Sequence, residues 1–91
     1  MKEPTKEALV ELGEKYCEKD EDIILLGWLL RKNELKQAQL LVFNCICQAE
    51  VDDKISPEDA YEEYAKLGLS PEEVFALADR LEDLFGDRTK Q

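Results

Sequence analysis

A chain of 91 residues and 10.5 kDa is the size of one small domain. With 44% hydrophobic and 37% charged residues but only four Gly, three Pro and three Cys, collagen, a disulfide scaffold and Pro/Gly-rich disorder are excluded. Twelve basic against 22 acidic residues and no histidine give a net charge of −10, which opposes direct binding to nucleic acid or to an anionic membrane.

No uncharged apolar run approaches the roughly 18 residues of a membrane span. Met1 to Glu7 lack the apolar stretch of a secretory signal, and an odd number of cysteines suits a reducing compartment, so a cytoplasmic address is expected. The charge is uneven: residues 1–22 sum to −4 (4 basic, 8 acidic), residues 23–49 to +2 (3 basic, 1 acidic) and residues 50–91 to −8 (5 basic, 13 acidic).

In chain order, Thr5 is placed to cap a helix with Ala8, Leu9, Leu12 and Tyr16 on one face and Glu7, Glu11, Glu14 and Glu18 on the other. Asp20-Glu21-Asp22 suit the start of a second helix, because acidic groups oppose the positive end of its dipole. The run Ile23-Ile24-Leu25-Leu26-Gly27-Trp28-Leu29-Leu30 has no strand-like alternation elsewhere to pair with, so it predicts a buried helix. Arg31 and Lys32 suit its last turn, and Asn33 fits either as the residue after its end or as the cap of the next helix. From about 34 to 52, Leu35, Ala38, Leu40 to Phe43, Cys45 to Cys47, Ala49 and Val51 spread round most of the circumference, predicting a central helix with neighbours on most sides. Asn33, Gln37, Asn44 and Gln48 form one polar strip along it, flanked by Leu40 and Leu41, and these six residues are the candidate self-association seam.

Ile55-Ser56-Pro57-Glu58-Asp59 and Leu69-Ser70-Pro71-Glu72-Glu73 repeat at a spacing of 14, each an apolar residue, a Ser cap, Pro in the first helical position and acid behind it. Gly68 and Gly86 sit where left-handed residues end helices, so the spans expected are 57–67 and 71–85, a tight helical hairpin. Leu67-Gly68-Leu69-Ser70-Pro71-Glu72-Glu73-Val74 resembles the turn of a helix-turn-helix unit, over about residues 60–81. Tyr64 stands where that motif prefers a small residue, and Pro71, Glu72 and Glu73 would meet DNA, so the resemblance implies a packing geometry and not a DNA reader. Together the elements predict an all-α bundle of four or five helices, one acidic domain over 1–91 with 1–4 and 87–91 as frayed tails.

The chemistry-bearing residues are few. Histidine is missing, and Thr5, Ser56 and Ser70 are accounted for as caps. Cys45 and Cys47, two apart on a helix, point about 200° away from each other and cannot grip one ion with Cys17. Neither Asp20-Glu21-Asp22 nor Asp52-Asp53 is followed by the Gly and Glu of an EF-hand loop. No catalytic, cofactor-binding or metal-binding residue is therefore expected. The expected function is a non-enzymatic interaction module that binds or inhibits a basic protein surface. Its candidate partner residues are Glu58, Asp59, Glu62 and Glu63 on the first hairpin helix, and Glu72, Glu73, Phe75, Asp79, Glu82 and Asp83 on the second. Tyr61, Tyr64 and Phe85 are further apolar anchors if exposed. A sharper form is nucleic-acid mimicry, carboxylates standing in for phosphates against a DNA- or RNA-binding protein; in composition the chain resembles small acidic inhibitors of phages. A third reading is a small accessory subunit of a larger assembly. A core this small would also gain from dimerisation through the central or second helix.

Overall fold

The computed structural model describes the backbone of residues 4–89 and the side chains of residues 4–80. Among these the chain forms five α-helices and no strand: α1 (Lys6–Tyr16), α2 (Asp20–Arg31), α3 (Leu35–Val51), α4 (Pro57–Lys66) and α5 (Pro71–Thr89).

Helix starts follow the capping residues. Thr5 Oγ1 accepts the Ala8 amide at 3.1 Å and Ser56 Oγ accepts the Asp59 amide at 3.2 Å. At α5 the bonds are reciprocal, Glu73 N–H donating to Ser70 Oγ at 3.3 Å and Ser70 N–H to Glu73 Oε1 at 3.1 Å, so two otherwise unpaired backbone donors are satisfied at once. No side chain caps α2 or α3; the three acids Asp20, Glu21 and Asp22 lie inside the first turn of α2, against its dipole.

Three helices stop in the same way. After α2, Asn33 N–H bonds Leu30 O and Glu34 N–H bonds Leu29 O; after α3, Asp53 bonds Glu50 O and Lys54 bonds Ala49 O; after α4, Gly68 bonds Ala65 O and Leu69 bonds Tyr64 O. The paired bonds are Schellman motifs, which turn on one left-handed residue. That residue is Asn33 (φ 60°), Asp53 (φ 60°) or Gly68 (φ 83°). Asn33 therefore ends α2 and is not part of α3.

α3 is the central helix. It packs against α1, α2 and α4, and buries Ala38, Gln39, Val42, Phe43, Cys45, Ile46 and Ala49. Leu9 and Leu12 from α1, Leu26 and Leu29 from α2, Ala60 and Tyr64 from α4, and Leu67, Leu69, Val74 and Leu77 from the hairpin complete the core. Gly13 is buried at the α1–α2 contact, where a β-carbon would lie 2.2 Å from Leu26 Cδ2, so the missing side chain is what admits Leu26. The Phe43 and Tyr64 rings meet with centroids 4.9 Å apart, tying α3 to α4.

Several expectations are corrected. α2 is not buried all round: Leu26 and Leu29 face the core, while Ile23, Ile24, Leu25 and Trp28 are exposed. A run without polar residues shows that a helix is apolar but not which side meets the core. Val51 is 76% exposed on the last turn of α3, where the helix has passed its neighbours. α5 continues past Gly86 to Thr89, so residues 87–89 are helical; a glycine permits a left-handed stop without imposing one, and Asp87-Arg88-Thr89 contains no helix breaker. Pro4, placed in a frayed tail, is buried.

Candidate functional site

An open cleft of about 960 Å³ lies between the C-terminal ends of α1 and α3 and one face of α4. Carboxylates of Glu18, Glu50, Asp53, Asp59, Glu62 and Glu63 line it together with Lys15, Lys54 and Lys66. Glu63 lies at its floor, only 5% exposed. It accepts a hydrogen bond from Tyr16 Oη at 2.7 Å and ion pairs from Lys66 at 3.0 Å and Lys15 at 3.4 Å, both lysines mostly in solvent. Burial works against its charge, but these donors outweigh it and hold the carboxyl below its ordinary range. Burial and the bond to Glu63 in turn push the Tyr16 phenol up to about 12. Lys54 pairs with Glu18.

The three lysines of the cleft are thus committed to Glu63 and Glu18, while Asp53, Asp59 and Glu62 pair with no cation among the described residues. Glu50 accepts only a long hydrogen bond, 3.4 Å, from Tyr64 Oη. On the same helix Glu58 is exposed and forms no ion pair with a described residue, and Tyr61 projects beside it with its ring edge-on to Tyr64. The outer face of α4 carries the exposed carboxylates Glu58, Asp59 and Glu62 next to an exposed phenol.

Of the candidate partner residues, Glu63 is corrected: it is a buried structural acid and not part of an outer face. In sequence it is indistinguishable from Glu62; Tyr16 and Lys15 from α1, with Lys66 one turn along α4, are what offset its burial. Glu72 and Asp79 are exposed, Glu73 is engaged in the α5 cap, and Phe75 is 61% exposed on α5. The side chains of Glu82, Asp83 and Phe85 lie outside the described residues. Tyr64 is buried and so is no anchor. In the proposed self-association seam, Asn33, Gln37, Leu40, Asn44 and Gln48 are exposed and Leu41 is half-buried against the core; Gln48 bonds Asp52 Oδ1 at 3.2 Å.

Two buried polar features were not legible beforehand. Gln39, 1% exposed, donates from Nε2 to Leu67 O at 2.6 Å and so satisfies a carbonyl at the end of α4. Cys17 donates to Cys45 Sγ at 2.9 Å, and Cys45 to Asp22 Oδ2 at 3.8 Å, while Cys47 faces the other way, 3.2 Å from Tyr64 Oη. Burial and the nearby Asp22 carboxylate push the Cys45 thiol up, and burial does the same for Cys47, so both are held as protonated thiols. Among the described residues no three His, Cys, Asp or Glu side chains converge as a metal site, and no helix is long and apolar enough to cross a membrane.

The fold and site define a small all-α bundle with an acidic face. Compared with known proteins, the chain matches no family model, no curated protein and no solved structure.

Proposed function

We propose that the chain is a non-enzymatic interaction module that engages a basic surface of another protein through the outer face of α4 and the cleft beside it. The observation that carries this reading is the commitment of the three cleft lysines to Glu18 and Glu63, so that Glu58, Asp59, Glu62 and Asp53 pair with no cation among the described residues. Lysine and arginine side chains of a partner would supply the cations this face lacks. Encounter would be steered by opposed potentials, and Tyr61 and Phe75 would contribute apolar contact area once docked.

The test is capture from the native cell on the immobilised full chain at low salt, followed by elution with rising salt. A predominantly basic protein eluting between about 50 and 200 mM salt is expected, because charge-steered contacts weaken steeply over that range. A partner that is acidic, or whose retention ignores salt, would contradict the proposal. If nucleic acid displaces the chain from that partner, the narrower reading of nucleic-acid mimicry holds; if it does not, the partner's basic surface serves some other purpose.

A further inference from the structure

The apolar face of α2 is separate from the acidic α4 face. Ile24 is 71% exposed and Trp28 is 54% exposed, and Ile23 and Leu25 are exposed beside them. An exposed apolar group of this size on a chain of 91 residues marks a surface that another molecule covers.

The face has an internal symmetry that identifies its occupant. Asp20, Ile24, Gly27 and Arg31 follow one another at spacings of four, three and four, and by helical geometry fall within about 60° of arc. The order along this stripe is acid, large apolar, glycine, base. A second copy of α2 laid antiparallel about a two-fold axis between Leu25 and Leu26 sets Asp20 opposite Arg31 of the other copy, and Ile24 opposite its Gly27. Gly27 then gains a purpose it lacks within one chain. A β-carbon there would meet no atom within 4 Å, and glycine inside a helix is less favourable than alanine. Against a second copy it is the recess into which Ile24 fits.

We infer that this chain self-associates as a two-fold dimer through antiparallel α2 helices, with Ile24 of each copy seated on Gly27 of the other and the acidic start of each helix against the basic end of its mate. Trp28, under Lys32 Nζ at 5.4 Å from its ring centroid, flanks the seam as its largest anchor.

Sedimentation of the full chain from about 1 μM to 1 mM tests the inference, with helicity checked by circular dichroism. Wild type is expected to move from monomer to dimer across this range. Arg31→Glu with Lys32→Glu makes both ends of the stripe acidic; Asp20→Lys with Glu21→Lys makes both ends basic. Each double variant alone should dimerise at least tenfold more weakly, and an equimolar mixture should recover association, because only the mixed pair matches at both ends. Ile24→Ser changes a side chain that is mostly in solvent, so the monomer should fold as before while the dimer weakens by about tenfold or more. A wild type that stays monomeric throughout would overturn the inference. So would a mixture no stronger than its components, or a dimer indifferent to Ile24→Ser; a species larger than a dimer would do the same.

Discussion

Glu63 carries its charge in a place where burial alone would remove it, and the charge survives because Tyr16, Lys15 and Lys66 converge on the carboxylate. A carboxyl whose folded pKa lies below its unfolded value adds stability that is present above the unfolded value, ordinarily 4.5, and is lost as pH falls through the folded one. Glu63→Gln keeps an acceptor for Tyr16 but removes the ion pairs. It is therefore expected to cost about 1–2 kcal/mol at pH 7 in urea unfolding. The gap to wild type should close as the pH is lowered below 4.5, since the wild-type carboxyl then protonates and the glutamine has nothing to titrate. A gap that persists undiminished at acid pH would show that Glu63 acts through shape and not through charge.

Among the elements, the two Ser-Pro-acid starts and the left-handed stop at Gly68 were legible because each uses residues chosen for a single backbone task. Asn33 was legible as a terminus but not as which one, and Asp53 not at all, since an acid in the left-handed region is an exception to the preference for glycine. Asp53 holds φ 60° at some cost, so Asp53→Gly should stabilise the chain by roughly 0.5–1 kcal/mol and Asp53→Ala should destabilise it by a comparable amount, both read from thermal unfolding. A less stable glycine variant would mean that the Asp53 side chain holds the α3–α4 connection in some other way. The orientation of α2 lay beyond the sequence for a different reason. Eight residues with no polar member give periodicity nothing to act on, and only the packing of Leu26 and Leu29 on α1 and α3 settles which side faces water.

At the scale of the whole molecule, the radius of gyration of 12.4 Å is that of a compact chain of this length, and α3 at its centre leaves two outer surfaces with different chemistry. α2 turns an apolar stripe outward, and α4 turns carboxylates outward. On the proposed readings, a pair of copies joined at α2 would present two acidic faces to a basic partner. Composition pointed to acid as the working property, but it could not separate acids that are exposed, such as Glu62, from acids that are spent internally, such as Glu63 and Glu73. Net charge sums over the surface, whereas recognition depends on which carboxylates lack a partner within the fold.

The measurement that bears most directly on this account compares two triple variants of equal charge. Glu58, Asp59 and Glu62 on α4 are changed to Gln or Asn in one; in the other, Glu7, Glu11 and Glu14 on α1, likewise exposed, are changed to Gln. Binding of each to the captured partner is then measured by calorimetry at about 100 mM salt. The α4 variant should bind at least tenfold more weakly than wild type, and the α1 variant within about twofold of it, with both folded as before. Equal losses in the two would mean that the partner senses only the total charge, and an α4 variant that binds like wild type would remove this face from the function.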